Sequence, residues 1–158
     1  RPERVRALVL ASPAGAPMSA DELVRFLARF EVDDPRVARD FVDSTFHRAP
    51  APMPLMRPGL RARLLDPSVR DLFSRIRSTD LLTAEDLSAV RAPTVLVWGD
   101  AEGLLPSTAL PFFESNLGGA VHTVRLARAG HAPYVEAPGA VAEILRETLL
   151  QVDSGQLV

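Results

Sequence analysis

Two loops of the sequence carry an acid and an imidazole that could work together. The first loop follows an apolar run at residues 94–98 and holds Asp100 and Glu102. The second follows an alternating run at residues 121–126 and holds His131. A carboxylate that accepts a hydrogen bond from an imidazole fixes the tautomer, so that the other ring nitrogen can take a proton from a nucleophile. These residue types could supply two of the three parts of a hydrolytic triad.

Both loops are expected at one edge of a parallel sheet. Residues 5–11, 94–98 and 121–126 are short runs of β-branched and aliphatic side chains that end near glycine or proline, which is typical of strands. Helical periodicity between the runs predicts right-handed strand–helix–strand crossovers and therefore the α/β class. Ligands of such sheets bind beyond the carboxyl ends of the strands, where these loops begin.

The spacing around both groups is specific. The histidine stands in the pattern Gly-His-x-Pro-x-x-Glu-x-Pro, which begins at Gly130 and ends at Pro138. Glu102 comes three residues after Gly99 and four residues before Pro106. These patterns resemble the second half of the α/β-hydrolase fold in its cap-bearing branch. The resemblance implies a partial parallel sheet of an α/β-hydrolase with an inserted helical cap.

The resemblance also implies roles for the residues. His131 would act as general base and then general acid, and Glu102 would orient it. Aspartate is commoner than glutamate at the acid position of this family, so Asp100, two residues away, competes for that role. No cofactor and no metal would be needed. The expected substrate is a small hydrophobic carboxylic ester or a related acyl compound.

A nucleophile is not apparent in these residues. No Gly-x-Ser-x-Gly sequence occurs, and Ser12, Ser19 and Ser107 lack the flanking glycines of a nucleophile turn. Because the family's chain order is nucleophile, acid, histidine, the resemblance implies a nucleophile and an oxyanion hole in an N-terminal half upstream. An upstream serine would give an acyl hydrolase, and an upstream aspartate a dehalogenase or epoxide-hydrolase reaction. A non-catalytic fragment or assembly partner of hydrolase ancestry is the remaining alternative.

We interpret the other two histidines and Glu136 as structural residues. His47 and His122 have no motif around them, and we interpret them as structural or exposed residues. Glu136 is expected to hold the loop after His131 in place rather than to react. The three histidines are scattered along the chain, and no acid stands at ligand spacing beside one of them, so a metal site is not expected.

Three parts of the chain are predicted to position this chemistry. Residues 1–15 form a core strand, residues 16–92 the helical cap, and residues 93–158 the C-terminal core that carries the acid and the histidine. Helices are predicted at about residues 20–31, from Pro35 onward, and at 69–77, 107–116 and 140–152. The prolines between residues 47 and 58 predict an irregular crossing there.

Composition restricts the partners. The 18 basic and 20 acidic residues leave a formal charge of −2, which disfavours nucleic acid. No apolar run approaches the roughly 20 residues that span a bilayer. With no cysteine, the chain has neither disulfides nor a thiolate nucleophile. The open edge of the strand at residues 5–11 predicts pairing with an N-terminal half or self-association. We favour a cytoplasmic location, although no motif defines the compartment.

Overall fold

The sheet has three parallel strands. A computed structural model describes residues 1–155, in which β1 (Leu8–Ala11), β2 (Thr94–Gly99) and β3 (Val121–Leu126) lie in the order β1-β2-β3. Leu8 is in register with Thr94, and Thr94 with Val121. The predicted α/β class and parallel sheet are confirmed.

The first strand is shorter than predicted. Residues 5–7 precede β1, because the register places Leu8 opposite the first residue of β2. The Leu8 amide donates to the carbonyl of Pro93, and a proline has no N–H with which to continue the ladder.

Helices cover both faces of the sheet. On one face, Leu96 and Trp98 of β2 pack in a buried cluster with Phe113 of α6 (Ala109–Asn116). On the other face, Val95 and Val97 pack with Val141 of α8 (Pro138–Asp153). All six residues of β2 are buried, as expected for a central parallel strand. A short helix, α7 (Pro133–Glu136), lies between β3 and α8.

Five helices lie between β1 and β2, in the segment that the sequence predicts as a cap. They are α1 (Ala20–Ala28), α2 (Pro35–Thr45), α3 (Met53–Leu64), α4 (Pro67–Arg75) and α5 (Ala84–Ser88). The capping box at the start of α1 is confirmed, because the Ser19 hydroxyl accepts from the Glu22 amide and the Glu22 carboxylate accepts from the Ser19 amide. Asp34 caps α2 ahead of a first-turn proline. The division into three parts stays a prediction.

The predicted irregular crossing at residues 47–58 is wrong in its second half, which is the start of α3. Pro54 occupies the first turn, where a backbone N–H has no helical partner and a proline is tolerated. Pro58 lies inside the helix on an exposed position, so the carbonyl that it leaves without a donor can face water. Of the apolar side chains here, Met53 is buried, whereas Leu55 is 86% exposed.

The cap has its own apolar cluster, and this cluster reaches the core. Val32, Phe41, Val42 and Met53 are buried together, and the fifth buried member is Leu104, which follows β2. Leu104 is therefore the side chain through which the loop after β2 joins the cap.

Candidate active site

The structure brings His131 and Glu102 into contact. The imidazole Nδ1 of His131 lies 2.9 Å from Oε2 of Glu102. The Glu102 side chain is 7% exposed and the His131 side chain 22% exposed. The acid loop (residues 99–106) follows β2 and the histidine loop (residues 129–138) follows β3, so both side chains lie at the carboxyl edge of the sheet.

The two loops approach each other too closely for side chains at the contact. A Cβ on Gly99 would lie 2.2 Å from the carbonyl oxygens of Ala129 and Gly130. The Ala101 amide donates to the Ala129 carbonyl at 3.0 Å. Because backbone lies directly on backbone, the distance between the acid and histidine loops is set by main-chain atoms. Gly99 is thus required by packing.

Glu102 is held in its ionised form. Its Oε1 accepts hydrogen bonds from the amides of Leu104 (2.8 Å) and Leu105 (3.0 Å), and its Oε2 contacts the imidazole of His131. Burial by itself raises the pKa of Glu102, but the hydrogen bond and charge of His131 and the two amides outweigh it. The pKa of Glu102 therefore lies below its ordinary value of 4.5.

Asp100 is directed elsewhere. Its carboxylate accepts a hydrogen bond from Nε of Arg125 on β3 at 2.7 Å, and both side chains are about half exposed. Of the two acids between which the sequence leaves the choice open, the structure therefore pairs Glu102 with His131.

The histidine loop is held by Glu136 and by the end of α2. The Glu136 carboxylate accepts from the amide of Gly130 at 2.6 Å and from the amide of Arg48 at 2.8 Å. The His131 amide donates to the Thr45 carbonyl at 2.8 Å. A Cβ on Gly130 would lie 2.7 Å from that same carbonyl. Glu136 has the loop-holding contacts that the sequence analysis expects.

The other two histidines do not join this pair. His122 is exposed on β3, and His47 is exposed just after α2. Within residues 1–155, no group of three or more histidine and acid side chains is placed to hold a metal ion. In the same residues, no helix is both long and apolar enough to cross a membrane.

The structure gives Ser12 and Arg29 surroundings that sequence reasoning did not predict. Ser12, directly after β1, has a left-handed φ of 43° and is 4% exposed, and its Oγ has no hydrogen-bond partner within the described residues. Arg29 reaches the acid loop from the turn after α1. Arg29 was missed because it lies in no recognisable motif and contacts residues 74 and 75 positions away, so local pattern offers no signal for it.

A large cavity lies apart from this pair. It has a volume of about 590 Å³, and Leu23, Leu27, Phe30 and Phe73 of the cap are among its lining residues. Neither His131 nor Glu102 lines it. No histidine is among the described residues that line this cavity, so the hydrogen-bonded pair of His131 and Glu102 is the candidate for proton transfer.

Comparison with known proteins gives structural matches only. No protein-family model and no curated protein matches the chain. Three solved structures are representative. A membrane phospholipase A described as a bacterial virulence factor is 29% identical with a TM-score of 0.75, and the match covers 96% of this chain and 51% of that chain. The 2-hydroxy-6-oxo-6-phenylhexa-2,4-dienoate hydrolase of Rhodococcus sp. strain RHA1 is 22% identical with a TM-score of 0.70, and the match covers 89% of this chain and 53% of that chain. A carboxylesterase from Bacillus subtilis is 20% identical with a TM-score of 0.66, and the match covers 98% of this chain and 53% of that chain.

The parallel sheet, with helices on both faces and an acid and a histidine at its carboxyl edge, defines a protein of the α/β class. More particularly, the chain has the α/β-hydrolase fold, as these solved structures show. The chain spans about half the length of the solved structures that it matches, as expected for the C-terminal portion of that fold.

Proposed function

We propose that the chain supplies the histidine and the acid of a Ser-His-acid hydrolase that cleaves carboxylic esters or related acyl compounds. The observation that carries this proposal is the contact of 2.9 Å between Nδ1 of His131 and Oε2 of the buried, ionised Glu102. His131 is the general base and then the general acid, and Glu102 is its orienting acid.

The contact between His131 and Glu102 supports a definite order of proton transfers. With Nδ1–H donating to Glu102, the lone pair of the imidazole is on Nε2, which takes the proton of the nucleophile's hydroxyl as its oxygen bonds to the acyl carbon. The imidazolium so formed is stabilised by the Glu102 carboxylate. It then gives the same proton to the leaving alcohol as the acyl–oxygen bond breaks. Water repeats the sequence on the acyl-enzyme.

The nucleophile would come from a segment that pairs along the open edge of β1. Within residues 1–155, β1 pairs with β2 only, and its carboxyl end lies at the same edge of the sheet as the acid and histidine loops. Residues 1–158 contain no Gly-x-Ser-x-Gly sequence. A parallel strand beside β1 would bring a serine turn to this edge.

A small hydrophobic acyl substrate suits the cap. Apolar side chains of α1, α2 and α3 meet the acid loop at Leu104, so a pocket between cap and core would be mainly apolar. Solved structures of similar fold include a membrane phospholipase A, a carboxylesterase and a 2-hydroxy-6-oxo-6-phenylhexa-2,4-dienoate hydrolase, which supports a hydrolase of acyl compounds.

The test is complementation. The chain is joined to, or mixed with, a serine-bearing N-terminal segment of an α/β-hydrolase, and turnover of p-nitrophenyl esters is measured. Activity should appear only in the complemented sample. His131→Ala should then lower kcat by at least about 10³-fold. His122→Ala, which changes an exposed histidine on β3, is the matched control and should leave kcat unchanged.

The same assay separates the alternatives. A folded, complemented protein that turns over no ester and fails to label with a fluorophosphonate would support a non-catalytic binding or assembly role instead. Activity toward haloalkanes or epoxides after an aspartate replaces the serine, with no ester turnover beforehand, would favour the aspartate-nucleophile alternative.

A further inference from the structure

Arg29 forms a contact between the cap and the acid loop. Its Nη1 donates to the carbonyl of Gly103 at 2.8 Å and to the carbonyl of Leu104 at 3.0 Å. Arg29 lies directly after α1, so both hydrogen bonds join the first cap helix to the loop that carries Glu102. Hydrogen bonds from a charged guanidinium are stronger than neutral ones.

The carbonyls that Arg29 holds belong to the two peptide groups that hold Glu102. The peptide between Gly103 and Leu104 receives Arg29 on its carbonyl and donates its N–H to Oε1 of Glu102 at 2.8 Å. The next peptide, between Leu104 and Leu105, does the same, with its N–H donating to Oε1 at 3.0 Å. The guanidinium and the carboxylate therefore bind opposite ends of the same two dipoles, and each hydrogen bond polarises and strengthens the next.

A second contact holds the cap against this loop. A Cβ on Gly103 would lie 3.0 Å from the carbonyl oxygen of Ser44, near the end of α2. The loop is thus enclosed by the turn after α1 on one side and by the end of α2 on another. A displacement of the cap would carry Arg29 away from the two peptides.

We propose that Arg29 is a positioning residue of the cap that orients Glu102, and through it His131, by way of the Gly103–Leu104 and Leu104–Leu105 peptide groups. The proposal rests on the proposed function for its catalytic meaning, but the geometry that it concerns exists in the isolated chain. The acid and histidine are aligned when the cap lies against the acid loop. Cap position and proton transfer are therefore coupled.

The direct test is the Nδ1–H proton of His131, observed by NMR in the isolated chain with ¹⁵N-labelled histidine. In the wild-type chain this proton should give a downfield signal protected by Glu102. Arg29→Ala should increase its exchange with water about tenfold, because both charge-assisted hydrogen bonds to the acid loop are lost. Arg29→Lys, which keeps the charge and can donate to the same carbonyls, should restore most of the protection.

Arg25→Ala is the matched control, because Arg25 lies one turn earlier in α1, is exposed, and carries the same charge. It should leave the His131 proton unchanged. Wild-type protection in Arg29→Ala, or an equal loss in Arg25→Ala, would overturn the proposal. If Arg29→Ala does not fold, Arg29→Lys is compared with Arg29→Gln, since only the lysine retains the charge. Equal protection of the His131 proton in these two variants would also overturn the proposal.

Enzyme activity provides a second readout, and it separates failure of this proposal from failure of the proposed function. In the complemented enzyme, Arg29→Ala should lower kcat with little change in KM, because a positioning residue acts on the proton transfer and not on substrate binding. If the complemented enzyme is inert, the proposed function fails, whereas the NMR result still decides whether Arg29 positions Glu102.

Discussion

The loops of the site and the outer helices of the cap are packed in opposite ways. In the acid and histidine loops, backbone lies against backbone, and a Cβ on Gly99 would meet carbonyl oxygens at 2.2 Å. Among the outer helices, α4 has no buried residue and α3 has one, Met53. A Cβ on Gly59 of α3 would meet nothing within 4 Å.

The difference shows which part of the molecule tolerates change. Main-chain contacts have no flexible atoms that can move aside, so the spacing between the acid and histidine loops is rigidly defined. The cap's outer helices are held largely by side chains, such as the rings of Phe30 and Phe73, which stack with centroids 4.6 Å apart. Arg29 connects the two regions, because it donates to the acid loop from the turn after α1.

The strongest challenge to the rigid region is Gly99→Ala. Its Cβ would overlap the carbonyl oxygens of the histidine loop, so we expect the free energy of unfolding to fall by about 3 kcal/mol, measured by urea denaturation. Gly139→Ala in α8, where a Cβ meets nothing within 4 Å, is the control and should change little. A Gly99→Ala variant as stable as the control would mean that the two loops do not lie in backbone contact.

Removal of the charge at the site should have the next largest effect. We expect Glu102→Gln to lower the free energy of unfolding by about 2 kcal/mol at neutral pH, because a nearly buried carboxylate loses charge-assisted hydrogen bonds. Asp100→Asn breaks only an exposed ion pair and should cost no more than about 0.5 kcal/mol.

The loss of unfolding free energy in Glu102→Gln should become smaller at acidic pH. The pKa of Glu102 is lowered by folding from its ordinary 4.5, so its contribution is fully present above that pH and is lost as the pH falls through the lower, folded-state pKa. The gap in unfolding free energy between wild type and Glu102→Gln should therefore narrow on acidification below 4.5. A gap that stays constant on acidification, followed by denaturation at several pH values, would contradict the lowered pKa.

In the cap, Phe73→Ala should cost about 1.5 kcal/mol, because Phe73 is half-buried and stacks on Phe30. Amide hydrogen exchange should rise in α4 while the Nδ1–H signal of His131 stays unchanged. Leu72→Ala next to it, 62% exposed, should change stability by less than about 0.5 kcal/mol. A change in the His131 signal on Phe73→Ala would show that the outer cap is not independent of the site.

The smallest effect is expected at Gly59, and it is stabilising. Gly59→Ala should raise the free energy of unfolding by about 0.5 kcal/mol or slightly more, because alanine is the better helix former and the position is open. Thermal unfolding measures this as a higher Tm. A lower Tm would indicate that Gly59 has a packing role like that of Gly99.

Much of the fold follows from local pattern. The run at residues 94–98 is apolar at every position, and β2 is buried on both faces as that pattern predicts. Ser19 and Glu22 begin α1 as predicted, because a capping box acts within four residues. The prolines near α3 misled the prediction, since a proline in the first turn or on an exposed helix position is tolerated.

The sequence by itself determined the α/β class, the placement of an acid and a histidine beyond neighbouring strands, and Glu136 as the residue that holds the histidine loop. These depend on short-range spacing. Only the tertiary structure decided between Glu102 and Asp100, because the choice depends on which carboxylate reaches His131 and which reaches Arg125. Likewise only the fold brings Arg29 to the acid loop, 74 residues away in the chain, since packing of the cap against the core sets that contact.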